Sequence, residues 1–426
     1  MIQASRLGQF SWALYDWANS AFSAVIVTFV FATYFSQGIA ANPTVGTAQW
    51  GWAMTASGIA IAIAAPILGA VADAGGRRKP WLFGFTWAAI VGCFALWFAR
   101  PEVDYVLYAL VVVGLTNFVY EIAQVFYNAM LPEIAGRERI GRISGWSWSL
   151  GYFGGLACLT FALFAFVQAE DPLFGLSQDD AENVRIAGPL VGAWYLVFSL
   201  PLLLFTPDRE PTGRRLREAV PEGLRKLWGT VRNVRHYREI AKFLIARLFY
   251  TEGLNTLFLF GGIYAAGTFG MDMAQVVQFG ILLNITAGLG AFAFGWIDDW
   301  IGAKRTILIA LACLILFGLA AVLVTDRLLF WIIGAVLGLF VGPAQAASRS
   351  LMGRIAPAEV RTEMFGLYAL SGKITAYMGP FVLGTVTLVT GSQRLGVATI
   401  LLFWLLGALL LLTVRDPDRQ RAAPAR

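Results

Sequence analysis

The 426-residue chain is 58% hydrophobic and only 14% charged, whereas an ordinary soluble domain is about 45–50% apolar and about 25% charged. That excess of apolar surface excludes a water-soluble fold of this size and points to lipid as the solvent. The net charge of +6 does not mark a nucleic-acid binder, because the basic residues fall in short loops between apolar runs.

A membrane-spanning helix needs about 20 mostly apolar residues. Twelve such runs occur, over 12–36, 50–72, 81–99, 104–127, 143–167, 188–206, 242–267, 274–297, 305–325, 328–348, 364–390 and 395–414. Backbone polar groups in hydrocarbon must be satisfied internally, and the alternation of a barrel is absent, so the runs predict helices. The first run is too long for a cleavable signal peptide and no small-residue cleavage site follows it. It carries Asp16, Asn19, Ser20 and Ser23 at helical spacing, one polar stripe.

The second span ends in Gly69-x-x-x-Asp73-x-x-Gly76, followed by Arg77, Arg78 and Lys79. The fourth carries Asn117 and Glu121 four apart, extended by Gln124 and Asn128. After the sixth, residues 207–241 form the longest basic segment. Within it Leu224, Leu227, Trp228, Val231 and Val234 recur at helical spacing, with Pro221 and Glu222 near the start. This predicts either an amphipathic helix on the membrane surface or a solvated basic linker.

The seventh span holds Arg247, Thr251 and Asn255 on one stripe, with Glu252 beside it. The eighth holds Asn284 and ends in Gly295-x-x-x-Asp299-x-x-Gly302 before Lys304 and Arg305. This repeats the earlier motif at an offset of 226 residues, with Ala303 in place of the first basic residue. The tenth contributes Gln345 and, near its end, Ser348 and Arg349. The eleventh contributes Lys373 and Tyr377. An ionisable residue at mid-helix costs roughly 2.5–3.5 kcal/mol on insertion scales, so each of these should face protein or water.

With both termini on one side, twenty-six Lys and Arg residues, Arg349 among them, fall on that side and four on the other. The positive-inside rule then places both ends in the cytoplasm, in a bacterial inner membrane. The repeat divides the chain into a bundle over 1–206, a linker over 207–241, a second bundle over 242–415 and a tail over 416–426. Repeated six-span halves are a common build of secondary transporters.

Cys93, Cys158 and Cys313 lie in apolar runs with no metal-ligand spacing, and the single histidine, His236, lies in a basic loop. Ser371-Gly372 has no histidine in any span to activate it, and Gly288-x-Gly290 lacks the strand-to-helix context of a nucleotide loop. No enzyme, no metal and no cofactor are expected. The expected partners are a small-molecule substrate, a coupling proton or other cation, and the bilayer, with a monomeric chain and no nucleic acid.

The run GAVADAGGRRK, Gly69 to Lys79, resembles the signature loop of the major facilitator superfamily. The blocks WALYDWANSAFSAVIVTFVFATYF (from Trp12), FYNAMLPEIA (from Phe126), YTEGLNT (from Tyr250) and MFGLYALSGKITAYMGP (from Met364) resemble its UMF1 (Atg22-like) family. The resemblance implies twelve transmembrane helices in two pseudo-symmetric six-helix bundles, with helices one, four, seven and ten around a central cavity. It implies a conformational latch at Asp73 with Arg77 and Arg78, and a second at Asp299. It also implies a vacuolar amino-acid effluxer's chemistry, since eukaryotic members are described so.

The expected function is therefore secondary active transport of a small polar solute, an amino acid or related zwitterion, by alternating access with proton coupling. Glu252, Glu121 or Asp16 would carry the proton, and Lys373 would bind a substrate carboxylate or neutralise one of these acids. The alternatives are a cation-coupled sugar or glycoside transporter and a membrane sensor without flux.

Overall fold

The computed structural model describes residues 4–212, 216–232, 236–373, 375 and 378–416. The expectations on Tyr377, Val234 and most of the 416–426 tail fall outside them. The described chain is helical throughout: α1 (Arg6–Ile39), α2 (Pro43–Gly75), α3 (Lys79–Phe98), α4 (Val103–Ile134), α5 (Ile140–Val167) and α6 (Glu182–Phe205) form the first half. The linker helix α7 (Leu216–Arg232) follows. The second half comprises α8 (Arg238–Phe269), α9 (Met273–Ile301), α10 (Ala303–Leu323), α11 (Arg327–Ile355), α12 (Arg361–Ser371), α13 (Met378–Thr390) and α14 (Gln393–Leu412).

Helix starts follow local chemistry. The Ser5 hydroxyl accepts from the Gly8 amide at α1, and Asn42 caps α2 just before Pro43. Asp272 and Gln275 form a reciprocal capping box on α9. Two departures from the expected spans matter. First, α1 changes register over Phe22–Phe29 and Phe35–Ile39, where the backbone is π-helical. Second, the eleventh span is not one helix. It breaks after Ser371 and resumes at Met378, although 364–390 is apolar enough to read as continuous.

In the first bundle α1 packs on α5 and α6, α2 on α4, and α3 on α4 and α6. In the second, α8 and α10 pack on α14, and α11 packs on α9 and α10. The bundles meet through α2 with α12, α5 with α9 and α11, and α4 with α11 and α12. These crossings cluster in the half of the molecule that carries the basic loops, here called the basic face. Away from it, α13 packs on α8 and α14 of its own bundle, and the side chain of Phe29 on α1 is exposed. The bundles are thus clamped at the basic face.

Small residues permit the clamp. A Cβ at Gly69 would lie 2.5 Å from the Thr362 carbonyl oxygen, and one at Gly366 the same distance from that of Ala65. Because backbone, not a side-chain tip, opposes the added methyl, Gly69→Ala is expected to destabilise this arrangement by about 1–3 kcal/mol. A lower melting temperature with faster amide exchange at the start of α12 would show it. Unchanged exchange there would contradict the close packing.

The linker helix begins at Leu216, earlier than expected, and takes Pro221 inside it. It packs on α2, with Gly223 against Val71 and Ala219 buried, while Leu224 and Trp228 stay exposed. It is anchored to the first bundle along one side and offers apolar groups on another, the pattern of an interfacial helix.

Candidate transport pathway and gate

From the basic face inward, polar side chains connect the bundles in layers. The outermost layer is a pair of helix caps. Asp73, at the end of α2, accepts from the Thr362 amide (2.7 Å), the Glu363 amide (3.0 Å) and the Thr362 hydroxyl (2.6 Å). It thereby caps α12 of the opposite bundle. Asp299, at the end of α9, accepts from the Gly141 amide (2.8 Å) and the Arg142 amide (3.2 Å), capping α5 of the first bundle. A carboxylate at a helix N-terminus satisfies otherwise unpaired amides and meets the positive end of the helix dipole. Gly76 and Gly302, which end the two motifs, adopt φ of +88° and +92°. These values let the chain turn sharply behind each aspartate.

Basic residues reinforce both caps. Arg78, fully buried, reaches Asp73 at 3.4 Å and Glu133 at 2.7 Å. It also donates to the Thr362 hydroxyl and the Ala129 carbonyl. Glu133 gathers Arg209 and Arg361 as well, each at 3.0 Å. In the second copy, Asp299 takes Arg142 (3.3 Å) and Arg354 (3.5 Å), and Arg354 also holds Asp298 (2.8 Å). Arg77, expected beside Arg78, is exposed and makes no ion pair among the described residues.

One layer deeper, about 9 Å of helix from the basic end of α11, Arg349 crosses between bundles. Its guanidinium donates to Asp16 on α1 (2.9 Å), Asn128 on α4 (3.2 Å), and the hydroxyl and carbonyl of Ser144 on α5 (3.0 and 2.8 Å). The rings of Trp12, Tyr127 and Trp148 surround it at 5.2–5.8 Å. Asp16 also accepts from Ser147 (2.5 Å) and Asn19 (3.2 Å). Arg349 is therefore not a loop charge, as its place near a helix end implied, but a 2% exposed cross-bundle bolt. Just inside it, Tyr152 on α5 donates to Gln345 on α11 (2.5 Å).

The deepest layer lies about 20 Å of helix from the basic end of α4. There Lys373 Nζ donates to Glu121 Oε1 at 2.6 Å. The two side chains are 35% and 19% exposed, so this pair, unlike Asp16–Arg349, meets solvent. Lys373 occupies the interruption between α12 and α13. One neighbouring helix, α8, holds both edges of that interruption. Arg247 donates to the Tyr368 carbonyl and the Ser371 hydroxyl, each at 2.7 Å, and stacks over the Tyr368 ring at 3.5 Å. Glu252, 1% exposed, accepts from the Gly379 amide at 2.8 Å. A cation thus sits at the C-terminal end of α12 and an anion at the N-terminal start of α13, each opposite in sign to the helix dipole it faces.

Other candidate residues take different places. Asn117 donates to Ser57 on α2 (2.9 Å), Asn284 donates to the Gly280 carbonyl of its own helix (2.8 Å), and Asn255 is exposed. Gly295 packs against Arg142.

Two clamped bundles with paired aspartate caps match the architecture the signature loop implied, and residues 51–423 match the family described as "Vacuole effluxer Atg22 like". The chain belongs to that family. Among relatives of the Atg22-like chain is the uncharacterized MFS-type transporter YxiO of Bacillus subtilis, 25% identical over 95% of this chain and 94% of that protein. Autophagy-related protein 22 of Kluyveromyces lactis is 24% identical over 74% of this chain and 68% of its own length. Solved structures of the same fold include the proton:xylose symporter XylE, with a TM-score of 0.71 at 15% identity over 96% of both chains. FucP in the outward conformation has a TM-score of 0.74 at 14% identity, covering 96% of this chain and 98% of its own. The Atg22-like chain is thus a multi-pass membrane transporter of the major facilitator fold, not an enzyme.

The layers between the bundles also use groups that the sequence alone gives little reason to single out. Arg349, near the end of the tenth span, counts both as a span residue and among the charges of the basic side, and Glu133 lies beyond the fourth span. The pattern Pro132-Glu133, recurring loosely as Pro357-Ala358-Glu359, was a usable signal. Ser144, Ser147 and Tyr152 sit on a helix with no mid-span charge to draw attention to it.

Proposed function

We propose that this transporter moves a small zwitterion, an amino acid or a related compound, by alternating access with proton coupling, its basic face and both termini in the cytoplasm. The observation that carries the reading is the Lys373–Glu121 pair. It joins opposite bundles, sits at the break in a helix and remains open to solvent. A zwitterion presents a carboxylate to Lys373 and an ammonium to Glu121, replacing one ion pair by two. A carboxylate that loses its cation in a low-dielectric site favours the neutral form, so Glu121 takes up a proton when the pair separates. In this reading Glu252 and Arg247 position the break, and Asp16 serves the gate rather than the proton. The vacuole effluxers of the family support an amino-acid cargo.

The test is purified protein in liposomes, with labelled amino acids and sugars offered under an imposed pH gradient. At least one amino acid should accumulate. Lys373→Met should lower transport by about tenfold or more, because the substrate carboxylate then enters without a cation. Glu121→Gln should weaken transport through loss of the ammonium contact and abolish gradient-driven accumulation. Wild-type accumulation by Glu121→Gln, or selective accumulation of a sugar, would overturn the proposal.

A further inference from the structure

A cavity of about 760 Å³ lies on the outer surface of α5, flanked by α1 and α9. Its rim is basic, formed by Arg6 at the start of α1 and by Arg139 and Arg142 at the start of α5. Its floor is apolar. Trp146 and Phe153 descend one side of α5, and Phe292 of α9 faces them. The floor runs about 16 Å along the helix from Arg142 to Phe153, and among the described residues no acidic one lines the cavity. Arg6 and Arg139 are exposed and have no acidic partner among the described residues. Arg142 gives its Nε to Asp299 while its side chain stays 32% exposed.

We infer that this groove binds an anionic phospholipid. The argument is one of layout. Three guanidiniums lie at the ends of membrane-length helices, and the ends of such helices are where lipid phosphates lie. The apolar trough then runs inward along the helices, as an acyl chain does. A soluble anion would satisfy the arginines and leave the trough unfilled, while a neutral lipid would fill the trough and leave the arginines without a counter-charge. Basic pockets between helices at a membrane surface select anionic headgroups for this reason. The site also abuts a gate element. Arg142 contributes both its amide and its side chain to Asp299, so a phosphate held on the same side chain acts on the cap that joins α9 to α5.

The full chain in detergent is titrated with dioleoylphosphatidylglycerol or dioleoylphosphatidylcholine, and retained lipid is counted by native mass spectrometry. Wild type should hold the phosphatidylglycerol about tenfold more tightly. The surface substitutions Arg6→Gln and Arg139→Gln together should erase most of that preference while leaving the melting temperature in phosphatidylcholine unchanged. Arg225→Gln with Arg232→Gln, on the linker helix, should leave the preference intact. The inference is overturned if wild type shows no preference, if the Arg6/Arg139 variant keeps it, or if the linker variant loses it. It is also overturned if soluble glycerol 1-phosphate displaces the lipid at comparable concentration, which would mark a plain anion site.

Discussion

Arg349→Met leaves the Asp16 carboxylate buried without its cation, and the expected result is a loss of about 3–5 kcal/mol in stability, the usual cost of breaking one side of a buried ion pair. The guanidinium makes four hydrogen bonds to the opposite bundle, and methionine makes none. Nearly all of that loss falls on the clamped arrangement, because the partners lie across the bundle interface. The basic halves of α1, α5 and α11 should therefore exchange amide hydrogens faster, and the melting temperature should fall. Adding Asp16→Asn to Arg349→Met removes the orphaned charge and should recover a large part of the loss. A single variant as stable as wild type would mean that the pair does not bolt the bundles together.

Asp73→Ala should be the more damaging of the two cap deletions. It removes three hydrogen bonds to α12 and strips a carboxylate from the buried Arg78. A lost cap costs about 0.5–2 kcal/mol. Glu133 still holds Arg78 at 2.7 Å, so about 2 kcal/mol is expected, a roughly 30-fold shift towards a basic face that is open. Asp299→Ala leaves the Asp298–Arg354 pair at 2.8 Å in place and should shift the balance less. Spin labels at Arg77→Cys and Glu359→Cys, both exposed positions on opposite bundles, would report the separation of the two sides. Equal distance distributions for wild type and Asp73→Ala would refute the latch.

Much of this architecture is legible in the chain. The apolar runs declare the spans, because hydrocarbon leaves the backbone no other way to satisfy itself. The 226-residue repeat of Asp73 and Asp299 marks the cap positions in both halves, even where Ala303 removes the first basic residue of the second copy. The break after Ser371 is hidden for a physical reason. Hydropathy measures transfer into lipid, and Ser371 to Gly379 remains apolar enough to pass as helix. Both edges of the break are held by Arg247 and Glu252, on a helix more than a hundred residues earlier. Arg349 escaped for a related reason. Counting Lys and Arg by sequence position treats a charge near a span's end as solvated, whereas three aromatic rings and Asp16 enclose it.

The interrupted span bears on how motion can be transmitted. A gap in a helix is usually taken as a place to bend. Here both stumps are riveted to α8, so the gap is a mounting bracket. When the bundles rock, Lys373 must travel with α8 as fixed cargo, while Glu121 rides on the other bundle. In the proposed cycle their separation then gauges the stroke directly.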